Sequence, residues 1–106
     1  MDGVDEAVRR LIDEILLSDI YQEYDAQRKK VNQFPELKAQ IDEYRSRYFE
    51  VQRSGSNVLE KIDEFEREYS ALREDPLVIG FLKAELAFCR MIQDINSRIV
   101  DATHFE

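Results

Sequence analysis

The sequence predicts an all-α protein: an antiparallel helical bundle or hairpin of about four helices, with a long first helix and an apolar last helix, that forms oligomers. Two observations support this class. Apolar side chains recur every three or four residues along almost the whole chain, which is the period of an α-helix. The chain is 36% charged, with three glycines and two prolines among 106 residues, a composition typical of long helices with solvated faces. One domain, residues 1–106, accounts for this pattern.

The first helix is predicted over residues 4–31, because its apolar stripe continues without a break as far as Asn32. The stripe consists of Val8, Leu11, Ile12, Ile15, Leu16, Ile20, Tyr24 and Val31. At 1.5 Å per residue the helix would be ~40 Å long, which is more than a compact domain of this size needs. The extra length indicates that a partner chain covers part of it.

Two shorter helices, over residues 35–53 and 58–74, are predicted to pair as an antiparallel hairpin. Pro35 marks the start of the first, since proline suits the first turn of a helix and disfavours helix before it. Asn57 and Glu60 are spaced as a capping box at the start of the second. Both helices carry apolar seams with alternating spacings of four and three residues, as coiled-coil helices do.

The last helix, over residues 76–102, is the most apolar, and Asp75 followed by proline is a strong start signal. Its apolar residues extend far around the cylinder, which indicates burial in a bundle or at an oligomer interface. Glu85 interrupts this face, and either pairs with a basic residue of another helix or fixes the register of a partner. The candidate oligomer or partner interface consists of Phe81, Glu85, Phe88, Ile92 and Ile95.

Residues that could carry catalysis are few. His104, the only histidine, lies two residues from the C-terminus, where a general base cannot be held against a substrate. Cys89, the only cysteine, is predicted to be a small buried core residue, since no nearby base would activate its thiol. Glu60 and Asp63 match half of the carboxylate magnesium motif of helical pyrophosphohydrolases, but no matching pair precedes them. We therefore predict no enzymatic activity, no metal and no cofactor.

Charge argues against direct binding of nucleic acid, because a chain with a net charge of −8 repels phosphate backbones. The basic residues cluster only weakly. The candidate basic patch consists of Arg28, Lys29, Lys30, Arg45 and Arg47, with Arg53 nearby. A stand-alone helical oligomer that binds RNA or a small ligand through this patch is the alternative function.

The expected location is the cytoplasm, away from membranes. A single cysteine fits a reducing compartment. No basic-then-apolar leader opens the sequence, and no apolar run approaches the ~20 residues needed to span a bilayer.

Three stretches of helix punctuation and packing residues carry a family resemblance. They are Leu16-Leu17-Ser18-Asp19-Ile20-Tyr21, Phe34-Pro35-Glu36-Leu37, and Asp75-Pro76-Leu77-Val78 followed by Phe81-Leu82-Lys83-Ala84-Glu85. Over roughly residues 8–100 the chain resembles the small bacterial YlbF/YmcA-type regulators, which include the YheA-like proteins. These motifs are not catalytic signatures, so the resemblance assigns no catalytic residue.

The resemblance implies an all-helical, self-associating protein. Family members act in a complex that affects competence, biofilm formation and sporulation, works with a membrane-anchored endoribonuclease in messenger RNA maturation, and has been linked to iron–sulfur clusters. A cluster usually takes four thiolates, and this chain has one cysteine, so the chain alone is not expected to hold one, while a site shared with another protein stays open. We predict a non-enzymatic adaptor or regulatory protein. Its expected partners are further copies of itself, as a dimer or tetramer, sister-family proteins and an endoribonuclease.

Overall fold

Six α-helices and no strand make up the computed structural model within residues 2–55 and 57–105, which are the residues the structure describes. The all-α class is confirmed. The helices are α1 (Gly3–Leu17), α2 (Asp19–Asn32), α3 (Pro35–Gln52), α4 (Val58–Glu68), α5 (Ser70–Glu74) and α6 (Pro76–Thr103). The predicted number of four is wrong, because two predicted helices are each interrupted at one residue. Met1, Ser56 and Glu106 of the predicted domain lie outside the described residues.

The predicted first helix over residues 4–31 is interrupted at Ser18. The backbone of Ser18 is extended, with φ −67° and ψ 148°. Its hydroxyl donates to the carbonyl oxygen of Ile15 (2.6 Å) and accepts from the backbone N–H of Tyr21 (3.1 Å). One serine therefore ends α1 and caps α2, since a serine hydroxyl offers the backbone an alternative to helical hydrogen bonds. Hydrophobic periodicity alone does not reveal such a break.

The predicted helix over residues 58–74 is interrupted at Tyr69, between α4 and α5. The hydroxyl of Tyr69 donates to Glu43 Oε1 (3.0 Å) and accepts from Arg47 Nη1 (2.9 Å), both on α3. Its ring centroid lies 4.9 Å from that of Phe65 and 5.5 Å from that of Tyr44. The break therefore occurs where one side chain is bound by α3 through both its ring and its hydroxyl group.

The helix starts at residues 35, 58 and 76 agree with the sequence, whereas the cap predicted for the second of them does not. Pro35 and Pro76 each lie in the first turn of a helix, and Asp75 Oδ1 accepts from the backbone N–H of Leu77 at 2.9 Å. The predicted capping box at Asn57 is wrong. Asn57 adopts the left-handed conformation (φ 57°, ψ 32°), and its side chain makes no capping hydrogen bond. Asparagine tolerates this conformation in turns, so it serves the loop instead of the helix.

The core lies where α2, α3 and α6 meet, and its buried residues are Val31, Ile41, Val78 and Phe81. The helices α2 and α6 run antiparallel, since Tyr21 contacts Phe88 whereas Gln27 lies against Gly80. A Cβ atom at Gly80 would lie 3.0 Å from Gln27 Oε1. The glycine inside α6 thus marks a close approach between the two helices.

The molecule is open and elongated. Its radius of gyration is 17.8 Å and its extents are 51 × 36 × 19 Å, whereas a compact domain of about 100 residues has a radius of gyration of ~13 Å. The helix α1 contains no buried residue. The small core therefore holds α2, α3 and α6 together and leaves much apolar surface uncovered.

Candidate interaction surface

The predicted interface on α6 is partly used inside the chain. Phe81 is only 7% exposed and belongs to the core. Phe88 is half-buried, and its ring stacks on that of Tyr24 with centroids 5.2 Å apart. Ile95 is half-buried as well, and Ile92 is 40% exposed. The helix α2 thus covers the two phenylalanines, and a partner role for this set of residues stays a prediction.

Glu85 pairs with a basic residue of another helix, as one of the two interpretations of the sequence predicts. Arg45 Nη2 on α3 lies 2.6 Å from Glu85 Oε2. The guanidinium of Arg45 also lies over the ring of Phe81, 5.4 Å from its centroid. This contact ties α3 to α6 at the edge of the core, and a buried, unpaired carboxylate is avoided.

The largest group of exposed apolar side chains lies on α1 and the start of α2. We call it the α1 face. It comprises Val4, Val8, Leu11, Ile12, Leu16, Leu17 and Ile20, and each of these side chains is at least 38% exposed. Leu17, at 72%, is the most exposed of them. The sequence predicted that the first helix needs a covering partner, but not that its first half would bury nothing within its own chain.

Further apolar side chains are exposed along α6, at Ile79, Leu86, Ile92 and Ile99. Cys89 lies among them and is exposed. The prediction that Cys89 is a buried core residue is therefore wrong. The apolar residues of α6 extend so far around the helix that α2 and α3 cover only part of them.

Arg47, a member of the predicted basic patch, is bound within the α3–α4 hairpin. Its two terminal nitrogens lie 2.6 and 3.0 Å from the two carboxylate oxygens of Glu68. The hydrogen bonds to Glu68 raise the pKa of Arg47 most, and the hydrogen bond to the hydroxyl of Tyr69 raises it further. The contact with Arg47 in turn lowers the pKa of Glu68. Local sequence patterns do not reveal these contacts, because Arg47 lies 21 and 22 residues away from its two partners.

The other residues of the predicted basic patch do not form one continuous surface. Arg28 and Lys29 both pair with Asp25, and their hydrogen bonds, that of Lys29 most strongly, lower the pKa of Asp25. Arg28, Lys29 and Arg45 line one cavity between α2, α3 and α6, and Lys30 does not. The guanidinium of Arg53 lies over the ring of Phe49, 5.0 Å from its centroid, at the end of α3.

The titratable residues singled out from the sequence do not converge. Glu60 and Asp63 are both exposed on α4, and His104 ends α6 with a left-handed φ of 55°. In residues 2–55 and 57–105, no three His, Cys, Asp or Glu side chains are grouped so that they could hold a metal ion. Within the same described ranges, no helix combines the length and apolar character needed to cross a membrane.

This geometry defines a class of protein, an all-helical chain whose most distinctive surface is an uncovered apolar helix face. The family described as "Control of competence regulator ComK, YlbF/YmcA" matches residues 4–102, and the chain belongs to this family. The description is that of a regulatory family and agrees with the resemblance of the sequence motifs. No curated protein and no solved structure matches the chain.

Proposed function

We propose that this chain is a non-enzymatic adaptor or regulatory protein that works by binding other proteins through apolar helix faces. The observation that carries the proposal is the α1 face, on a helix that has no buried residue of its own. Covering apolar surface is favourable by about 25 cal/mol per Å². Membership in a family described as regulators supports the regulatory role.

The amount of exposed surface supports a large interface. The chain exposes 8264 Å², whereas a folded monomer of 12.6 kDa exposes about 6200 Å². The excess of about 2000 Å² is larger than the ~800 Å² that each partner buries in an interface of standard size. It lies in the range of obligate dimers, which bury about 1000–2500 Å² on each subunit.

The proposed first partner is a second copy of the chain, in a dimer built around the α1 face with Ile92 and Ile95 of α6 at its edge. A two-fold dimer uses the same patch on both subunits. Each copy therefore supplies as much apolar surface as it needs to cover. Phe81 and Phe88 act indirectly in this arrangement, because they hold α6 against α2.

The proposed further partners are sister-family proteins and an endoribonuclease, met in the cytoplasm. The family's description, control of a competence regulator, supports protein partners in general, and the resemblance of the sequence motifs suggests these particular ones. A sister chain with a similar apolar first helix would match the α1 face as a second copy does, so the same surface serves both kinds of assembly.

The first test measures mass in solution by light scattering coupled to gel filtration at micromolar concentration. We expect the wild type at twice the chain mass of 12.6 kDa. Ile12→Glu should shift the protein to a monomer, because it places a charge in the centre of the α1 face. The matched control is Leu59→Glu on α4, where an 80% exposed leucine lies outside that face. A monomeric wild type, or equal loss of dimer in both variants, would contradict the proposal.

The second test is a pull-down of tagged wild type and the Ile12→Glu variant from a Gram-positive bacterial lysate, with mass spectrometry of the bound proteins. Recovery of sister-family proteins or an endoribonuclease by the wild type, and their loss with Ile12→Glu, is the expected result. Recovery of the chain alone would leave a self-contained oligomer and refute the adaptor role.

A further inference from the structure

A cavity of about 540 Å³ lies between α2, α3 and α6 and is independent of the α1 face. Its lining includes the core residues Val31, Ile41 and Phe81, so it reaches down to the apolar interior. Its charged lining residues are Arg28, Lys29, Lys38 and Arg45 against Asp42 and Glu85. The lining thus has two more positive than negative charges, in a chain whose net charge is −8.

The two arginines of the cavity are held in place by the protein. Arg45 donates through Nη2 to Glu85, and Arg28 donates through Nη2 to Asp25. Each guanidinium also lies over an aromatic ring, at 5.4 and 5.7 Å from the centroid. Within the described residues each arginine uses one nitrogen for its ion pair, which leaves further N–H donors for a ligand. Donors fixed in advance lose less conformational entropy when a ligand binds.

Lys38 is the cation of this lining that has no ion pair within residues 2–55 and 57–105. It lies on the first turns of α3, across the cavity from α2. Lys30 follows Lys29 directly in the sequence but does not line the cavity. This pair of positions allows the same change of charge to be made inside and outside the proposed site.

We infer that the cavity binds a small organic anion, with a phosphate or carboxylate group at the basic side chains and a compact apolar body against the core residues. The volume falls within the range of small-molecule sites, which combine an apolar lining with a few polar groups that orient the ligand. A long nucleic acid does not fit this chemistry, because the overall negative charge repels it beyond the cavity. The bound anion would join α2, α3 and α6.

The test is a calorimetric titration of the full chain with phenyl phosphate. We expect one site per chain, with benzyl alcohol binding at least tenfold more weakly because it lacks the charge. Lys38→Glu should weaken phenyl phosphate binding about tenfold, since an attraction becomes a repulsion. Asp42→Asn should strengthen it, and the control Lys30→Glu should leave it within about twofold. Lys38 and Lys30 are both exposed, and circular dichroism checks that the variants remain helical.

Several outcomes would overturn the inference. Absence of saturable binding at millimolar phenyl phosphate would exclude the site. An equal loss of affinity in Lys30→Glu and Lys38→Glu would indicate general charge attraction, and equal binding of benzyl alcohol would indicate an apolar patch. Titrations with inorganic phosphate and with benzoate test the two acidic groups separately. Binding of either one supports the anion site, and binding of neither would refute it.

Discussion

At the scale of single residues, the contact between Arg47 and Glu68 fixes the register of α3 against α4. Both terminal nitrogens of the guanidinium bind the carboxylate, and the group lies over the ring of Tyr69, 5.3 Å from its centroid. A paired geometry of this kind is more specific than a single ion pair. An exposed ion pair contributes little free energy by itself. Most of the stabilisation between α3 and α4 therefore comes from the contacts among the aromatic rings beneath it.

The first residue-scale prediction concerns acid. Since Arg47 lowers the pKa of Glu68 in the folded protein, the contact stabilises the fold above the unfolded-state pKa, which is the ordinary glutamate pKa of 4.5. That contribution is lost as the pH falls through the lower, folded-state pKa. We expect the urea midpoint of Glu68→Gln to fall less than that of the wild type between pH 5 and pH 2.

The matched control for this acid titration is Glu64→Gln, which removes a carboxyl group of the same helix without an ion pair among the described residues. Circular dichroism during urea titration at each pH gives the midpoints. If Glu68→Gln and Glu64→Gln follow the same curve as the wild type, the Arg47–Glu68 contact does not contribute to the acid stability.

At the residue scale, the predicted local cap at Asp75 is confirmed and the equally local capping box at Asn57 is not, whereas distant partners cannot be named from the sequence. The cap at Asp75 depends on the next two residues and is confirmed. The pairing of Glu85 could be anticipated because a carboxylate on an apolar face needs a partner, although Arg45 could not be named. The exposure of Cys89 depends on how far α2 and α3 extend over α6, which the sequence of one helix does not contain.

At the scale of the elements, the break at Ser18 determines the direction in which α1 leaves α2. The helical period continues across this position, which explains why the sequence predicts one helix over residues 4–31. Besides the serine, Gln22 Nε2 donates to the carbonyl oxygen of Leu16 at 2.6 Å. Two side chains thus satisfy backbone groups that an uninterrupted helix would pair internally.

Substitution of the capping serine should measure what this break contributes. We expect Ser18→Ala to lower the free energy of unfolding by about 1 kcal/mol, because the N–H of Tyr21 loses its acceptor. Ser18→Asp should keep most of the stability, since aspartate also caps helices well. Urea denaturation followed by circular dichroism provides the values. Equal stability of Ser18→Ala and wild type would mean that the hydroxyl contributes nothing to the break.

The helices outside the two interruptions begin and end close to the predicted positions. The residues 35 and 76 are the first of α3 and α6, and α6 extends to Thr103 where residue 102 was predicted. Proline and a capping aspartate start a helix through contacts within a few residues, so these helix starts can be predicted from the sequence. The interruption at Tyr69 depends on contacts with another helix, and local pattern does not contain that information.

At the scale of the whole molecule, the open shape would couple folding to the proposed assembly. Few residues are buried, and the total surface in excess of that of a compact monomer is of the size that a dimer interface covers. The sequence predicts a partner from the length of its first helix and the apolar character of its last, and the exposure of α1 is consistent with that prediction. The interface predicted from the sequence lies on α6, whereas the most exposed apolar side chains of the proposed interface lie on α1.

Such coupling predicts that thermal stability depends on protein concentration. For a dimer of this size, a tenfold rise in concentration should raise the Tm by about 3 °C, because folding and association share one equilibrium. Calorimetry at several concentrations measures the shift. The Ile12→Glu variant should have a Tm that is independent of concentration. A wild-type Tm that does not change with protein concentration would contradict the coupling of folding to association.

The uncovered α1 has a consequence for the lifetime of the protein in the cell. A helix with no buried residue opens at little cost in free energy, and opened segments are where proteases cut. Copies that find a partner would be protected, and surplus copies would be removed. The abundance of such a regulator would then follow the supply of its partners, without any separate control of its synthesis.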